Sequence, residues 1–412
     1  MTFSADLTRP QVTAWRNGLF AIFALCGIAM ASWASRIPAV KSALHASTSE
    51  MGILIFGIAA GSIVGLLASS HVIARLGARR TILLALTIGA VGFAVAGIGA
   101  TFGPNQVVVM AGLILFGTTF SICDVAMNLL GAVNERVLGR AVMPVFHAFF
   151  SFGTIIGAGL GALAEAVHLP IAVHLGAVAV IFGGGAIIAV RFLQSEHVVH
   201  EDAAPSEPTW RDRLSIWRDP RTIIIGLIVL GMAFAEGSAN DWLALAMVDG
   251  HGTTKAGGAL VFGVFVTAMT VGRLGGVRLL DRFGRVPVLR ASAVLAGVGL
   301  VVLIFVPVLW ISIVGVVLWG LGASLGFPVG MSAAADDPRT AAARVSAVAT
   351  IGYFAFLVGP PVIGFLGQQF GLLHALLVVL VLVAVAGVAS GAARPSSSPL
   401  PSLPKTQEIA PE

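Results

Sequence analysis

Hydrophobic positions in this chain fall in long, almost unbroken runs. They show neither the alternation of a half-buried strand nor the narrow stripe of a water-exposed helix. A bilayer core about 30 Å thick is crossed by about 20 apolar residues in helical form. Runs of that kind stand near 17–36, 50–74, 81–101, 106–133, 141–166 and 170–192, and again near 221–247, 255–280, 286–306, 308–334, 341–367 and 371–391. Two joints are very short: Phe102-Gly103-Pro104-Asn105 between the third and fourth runs, and Pro307 between the ninth and tenth. The pattern predicts an all-α membrane protein of twelve transmembrane helices, with a six-helix bundle over 1–192 and a second over 221–391.

The longest polar stretch, 193–220, separates the bundles. Within it Trp210, Leu214 and Trp217 recur at helical spacing among Arg211, Asp212, Arg213 and Arg218. Both an interfacial helix on the inner leaflet and an ordinary cytoplasmic linker fit that spacing. The tail over 392–412, rich in proline and serine, reads as disordered.

Composition agrees with lipid as the solvent. Charged residues make up 10% of the chain, hydrophobic ones 57%, and the mean hydropathy is +0.98. A soluble domain carries about a quarter charged residues, so these are too few to cover a water-exposed globule. The 50 glycines suit helices that approach closely in a membrane. A net charge of +5 raises the question of nucleic acid, but the basic residues are scattered between apolar runs and form no patch. Cys26 and Cys123 lie inside apolar runs, where they read as small buried hydrophobes. The first run continues into Trp33 and Arg36 without a cleavage site, so it reads as an uncleaved signal-anchor helix.

Arginine and lysine set the orientation. With twelve spans, one side holds Arg9, Arg16, Arg75, Arg79, Arg80, Arg136, Arg140, the 191–221 cluster, Arg278, Arg282, Arg285, Arg290, Arg339, Arg344, Arg394 and Lys405. The other keeps Arg36, Lys41 and Lys255. Both termini are therefore expected in the cytoplasm of a bacterial cell, with the chain in its inner membrane among the lipids.

The halves repeat each other at an offset of about 203–207 residues. Gly27, Ala29 and Ala31 match Gly231, Ala233 and Ala235; Gly52, Leu54, Phe56 and Gly57 match Gly258, Leu260, Phe262 and Gly263. Gly117 and Ser121 match Gly320 and Ser324, and Arg140, Phe150 and Phe152 match Arg344, Phe354 and Phe356. A parallel repeat of six-helix halves is a transporter architecture, with the site near the midplane between them. A nucleotide-driven pump needs a Gly-Lys-Ser/Thr phosphate loop, which the lysines after Val40, Thr254 and Pro404 do not supply. A membrane-embedded enzyme, the rival from another class, needs a metal or nucleophile cluster, and the nine histidines show no such spacing. No metal or other cofactor is expected.

An ionisable group at the bilayer centre costs about 2.5–3.5 kcal/mol on insertion scales, so it usually faces a cavity or a partner. Asp124 lies well inside the fourth run, with Ser121 one turn before it and Asn128 one turn after. Desolvation raises a carboxylate's pKa, so such a group can take up and release a proton as its surroundings alternate between wet and dry. His147 enters the fifth run about 10 Å from its end at about 1.5 Å per residue, near enough for an Asp124–His147 pair. Structural pairing is the competing reading for both residues.

Glu236 lies mid-span in the seventh run, with Asn240 on the same face. Asp241 falls about 140° away at about 100° per residue, close enough to the boundary to be merely solvated. By the repeat, Glu236 and Asn240 take the places of Ser32 and Arg36, which predicts Glu236 and Arg36 facing each other across the cavity. Trp33 and Trp242 stand at outward span ends, placed either to anchor at the interface or to stack on a ligand. The small-residue run Gly153–Gly161 reads as helix packing.

The loop after the second run reads Ala74-Arg75-Leu76-Gly77-Ala78-Arg79-Arg80. Its counterpart after the eighth reads Asp281-Arg282-Phe283-Gly284-Arg285. The second copy resembles the cytoplasmic signature of the major facilitator superfamily, and the first resembles it with Ala74 in place of the aspartate. Trp33-Ala-Ser-Arg36-Ile-Pro38, Asp124-Val-Ala-Met-Asn128, Ala235-Glu236-Gly-Ser-Ala-Asn240-Asp241-Trp242 and Gly359-Pro360-Pro361 further resemble its YbjJ-type bacterial branch, related to fucose permease-like proton symporters. The resemblance spans about residues 15–390. It implies the major facilitator fold, two six-helix bundles about a pseudo-two-fold axis. It also implies a lock at Arg75, Gly77, Arg79, Asp281, Arg282, Gly284 and Arg285 that holds the outward-facing state, and a functional acid at Asp124. Ala158 stands where the family's antiporters carry a proline, which favours symport.

The resulting expectation is a monomeric secondary transporter. It moves a small molecule, sugar-like or another polar metabolite, by alternating access with protons in symport. A proton-coupled efflux antiporter is the alternative.

Overall fold

The computed structural model describes residues 7–139, 142–194, 216–337 and 340–394. The interfacial-helix segment around Trp210 and Leu214, the residues Arg140 and Arg339, and the tail beyond Arg394 lie outside the described residues. Among the described residues, twelve helices are long and apolar enough to cross a membrane. In the first half they are α1 (Arg9–Ala43), α2 (Thr48–Leu76), α3 (Ala78–Thr101), α4 (Gln106–Leu138), α5 (Met143–Ala166) and α6 (Ile171–Phe192). In the second they are α7 (Pro220–His251), α8 (Lys255–Phe283), α9 (Arg285–Phe305), α10 (Leu309–Ala334), α11 (Ala341–Phe370) and α12 (Leu372–Ala393).

Caps end these helices where the apolar pattern breaks. The Ser47 side chain accepts from Glu50 N–H at the start of α2, and Thr254 accepts from Gly257 N–H at the start of α8. These are equivalent places in the two halves, and each satisfies an amide that has no partner within the helix. The turns α2–α3 and α8–α9 are each a single glycine, Gly77 at φ 75° and Gly284 at φ 76°. An L side chain adopts that backbone only with strain. Small residues also set helix contacts: a Cβ on Gly27 would meet the Phe150 carbonyl, and one on Gly153 the Ala24 carbonyl. These two glycines let α1 and α5 touch backbone to backbone.

Apolar side chains face outward as well as inward. Val388 is 85% exposed and Leu67 79%, which suits lipid rather than water. Cys26 and Cys123 are buried and unbridged.

The halves close against each other at the end away from the termini. There the Lys41 ammonium pairs with Asp249, Thr48 N–H donates to Gln368 Oε1 at 2.9 Å, and Gly52 lies against Pro360 and Gly364. At the termini-bearing end the ion pairs between described residues include Arg285 and Arg221 on Asp336 and Arg344 on Asp219, all within the second half. In the first half Glu135 accepts the Val142 and Met143 N–H groups, each at 2.6 Å.

Candidate functional site

Where α2 and α11 separate beyond their contact, a cavity of about 340 Å³ opens between the halves. Its wall takes Trp33 from α1, Ser62 from α2, Ser121 and Asp124 from α4, Thr154 from α5, Glu236, Asn240 and Asp241 from α7, and Tyr353 from α11. Most of the remainder is apolar, including Phe120, Phe150, Phe262 and Phe356. A concave, largely apolar site with a few placed polar groups is the usual form of a small-molecule site, whose volumes run from about 300 to 1,000 Å³.

Each charged group has a distinct surrounding. Asp124 accepts from Asn128 Nδ2 at 3.1 Å, and the same amide donates to the Asp124 carbonyl at 2.8 Å. Asn128 therefore orients the carboxylate from behind and does not itself line the cavity. Glu236 receives Arg273 Nη2 on both carboxylate oxygens, at 2.9 and 3.0 Å. Among the described residues, the Asn240 and Asp241 side chains have no hydrogen-bond or ion-pair partner, although both line the cavity. Tyr353, from the second half, stands within electrostatic reach of Asp124 of the first.

The helix α7 explains how Asp241 reaches the wall. Residues Ala239–Leu243 form one wide π-type turn, a feature frequent at functional sites. The extra residue it inserts rotates the chain beyond regular α geometry. Asp241 thereby lines the same cavity as Glu236 and Asn240, and the 140° separation expected from periodicity does not hold.

Several expected positions differ. Arg36 does not face Glu236 across the cavity. It turns back within the first half, with Nε 3.2 Å from Glu165 Oε1 and Nη2 2.7 Å from the Leu169 carbonyl, and both side chains are nearly fully buried. Glu165 is near in space and supplies the counter-charge, so Arg36 breaks the pseudo-symmetry with α7. His147 makes no bond to Asp124. Its helix, α5, packs chiefly on α1 rather than on its sequence neighbour α4, and the ring meets Phe23 edge-on at 5.4 Å. There it stands within electrostatic reach of Arg273.

Trp242 is fully buried beside Gly364 at the closed end. It belongs neither to a lipid interface nor to the cavity wall. Trp33 is 2% exposed and does line the cavity, and its indole N–H has no partner.

The lock residues lie at the termini-bearing end. Arg75, Asp281 and Arg282 are exposed, with the Arg282 guanidinium over the Phe283 ring at 5.3 Å. Arg79 Nε donates to the Val190 carbonyl at 3.0 Å, and Arg285 Nη2 to Ser332 Oγ at 3.0 Å. None of these residues bonds across to the other half among the described residues.

Sequence reasoning missed Arg273, Glu165 and Tyr353. An arginine inside an apolar run was a usable signal for Arg273, and Tyr353 is the chain's single tyrosine. The signal for Glu165 was weaker, since it stands at a span end.

The chain matches the family model of the Major Facilitator Superfamily over residues 18–275 and 234–411. It is 31% identical over 363 residues to an uncharacterized transporter, y4wD, of Sinorhizobium fredii, covering 87% of this chain and 93% of that one. An uncharacterized MFS-type transporter of Yersinia pestis is 30% identical over 375 residues, covering 90% and 94%. Among solved structures, a bacterial homologue of the lysosomal transporter Spinster superposes with a TM-score of 0.74 at 13% identity, covering 94% and 98%. The E. coli fucose:proton symporter FucP does so with 0.61 at 17%, covering 92% and 98%. At such identities these likenesses establish the fold.

A duplicated six-helix architecture around a central, largely apolar cavity with a few charged groups, together with these relatives, defines a membrane transporter rather than an enzyme. The chain belongs to the major facilitator superfamily.

Proposed function

We propose that the chain is a proton-coupled symporter that carries a small polar metabolite across the bacterial inner membrane by alternating access, with both termini in the cytoplasm. The observation that carries the reading is the placement of Asp124, Glu236 and Asp241 in the wall of one cavity between the halves. A carboxylate in such a wall is costly to keep charged once the cavity closes and dries. Protonation removes that cost, so proton binding decides which state can reorient. Asp124 is the foremost proton site, because its hydrogen-bond donor is a neutral amide. Glu236 is held by Arg273, and its protonation would release that guanidinium.

The arginine-rich end supports the orientation. With that end cytoplasmic, the closed end faces outward and the cavity belongs to a cytoplasm-facing state. The exposed Asp281 and Arg282 agree, since the lock they resemble engages in the opposite state. The fucose:proton symporter with the same fold supports symport by analogy alone.

Right-side-out and everted vesicles loaded with a pH-sensitive dye test this reading. Candidate metabolites should move protons in the same direction as themselves, and Asp124→Asn should abolish that movement. Uptake that proceeds unchanged in Asp124→Asn and Glu236→Gln would refute the coupling.

A further inference from the structure

Among the described residues, three carboxylates line the cavity and no lysine or arginine does. Arg273, outside the lining, satisfies Glu236 with one guanidinium nitrogen shared between both carboxylate oxygens. Asp124 has only the neutral Asn128 amide as donor, and Asp241 has none. Once the Glu236–Arg273 pair is cancelled, the wall keeps two formal negative charges with no lysine or arginine lining it. His147 sits outside the lining, with its ring against Phe23.

The same wall carries six aromatic side chains, among them Trp33, Phe262 and Tyr353. The negative faces of such rings attract cations, most strongly where water is excluded. Trp33 lends its ring to the wall while its unpartnered indole N–H is buried out of reach of the open space, so the group this wall holds free is a carboxylate. An unpaired carboxylate in a low-dielectric wall is strongly unfavourable unless a counter-charge or a proton meets it. An anionic cargo would face Asp124 and Asp241 while the nearest guanidinium is already occupied. A neutral polyol would require Asp241 to bind a proton of its own, in addition to the one on Asp124.

We propose that the cargo is a small organic cation, an amine or quaternary ammonium compound with polar substituents, whose cationic head is held by Asp241 and the aromatic faces. This deepens the transporter reading and rests on it. The two halves then divide the work: Asp241 in the second takes the cargo's charge, and Asp124 in the first takes the proton. The Ser121 hydroxyl, and the acceptor oxygens of Ser62 and Thr154, whose protons go to the Gly117 and Ser151 carbonyls, remain for the cargo's polar substituents.

The test uses the full-length protein purified in detergent and a thermal-shift titration. The probes are choline and benzyltrimethylammonium, each beside its uncharged carbon isostere, dimethylbutanol and neopentylbenzene. The expected result is stabilisation by the cations at concentrations at least tenfold below those at which the isosteres act. Asp241→Asn should weaken the cations at least tenfold and leave the isosteres unchanged, and Asp241→Glu should retain most of the cation affinity.

Equal binding of cation and isostere, undiminished cation binding in Asp241→Asn, or no binding by either cation at tens of millimolar overturns the proposal. The wild-type comparison needs no variant, so it decides even if Asp241→Asn does not fold. Flux in proteoliposomes separates the two readings. Cations that bind but never cross would overturn transport and leave the charge assignment. Transport of a neutral or anionic compound without cation binding would do the reverse.

Discussion

Arg273 of α8 gives one guanidinium nitrogen to both carboxylate oxygens of Glu236 on α7, at 2.9 and 3.0 Å. The pair is partly open, with the side chains 33% and 18% exposed. It ties together two helices of the second half at the cavity wall, so the charge of Glu236 and the α7–α8 contact are one variable. Arg273→Gln is expected to cut transport at least tenfold, and Arg273→Lys, which keeps the charge but replaces the planar guanidinium with a compact, more strongly hydrated ammonium, to fall between. A double-mutant cycle with Glu236→Gln, read in melting free energy, should return a coupling of about 0.5–3 kcal/mol.

The Arg36–Glu165 pair should behave as a structural element. Both partners are nearly fully buried, and removing one leaves the other charged and unpaired. Arg36→Met is expected to destabilise by about 3–5 kcal/mol, while the double change Arg36→Met with Glu165→Leu recovers most of that loss. Thermal melts in detergent read both. A single variant with wild-type stability but altered cargo selectivity would instead place Arg36 in the site.

Much of the fold is legible in the sequence because lipid demands continuous apolar runs, which can be counted directly. The repeat is legible for a related reason. Gly77 and Gly284 must both turn the chain at positive φ, and residues with such duties recur at one offset. The candidate site is legible in part: Trp33, Asp124, Glu236, Asn240 and Asp241 reach the cavity.

What failed depended on information that periodicity lacks. The wide turn at Ala239–Leu243 changes which face Asp241 occupies. The pairing of α5 with α1 takes His147 away from Asp124. Glu165 draws Arg36 out of the symmetry that its place in the repeat suggested.

The two glycine turns offer a backbone test. Gly77→Ala and Gly284→Ala each force a Cβ onto a backbone of positive φ and extended ψ, a region essentially kept for glycine, at about 1–3 kcal/mol. Gly159→Ala, in regular helix with nothing within 4 Å of the added carbon, should be neutral or slightly stabilising. Melting midpoints of the three variants check the difference.

Lys41 and Asp249 bridge α1 and α7 at the closed end. With cysteines at both positions, a cleavable thiol cross-linker is expected to form the bridge efficiently and to stop transport, and reductant to restore it. Cysteines in place of Arg75 and Ala341, at the far ends of α2 and α11, should not be bridged by the same reagent in this state. Transport that continues with Lys41→Cys and Asp249→Cys cross-linked would mean that this end need not open.

The most direct test of alternating access uses both ends of the helix pair α2 and α11. Spin labels at Ser49→Cys with Gln368→Cys report the closed end, and labels at Arg75→Cys with Ala341→Cys the termini-bearing end. Distances are measured by electron–electron resonance across acidic and alkaline pH, with and without Asp124→Asn. The account predicts reciprocal change: a longer distance appears at Ser49–Gln368 as a shorter one appears at Arg75–Ala341, and Asp124→Asn removes the pH dependence. Distances that stay fixed at both ends, or that lengthen together, would contradict it.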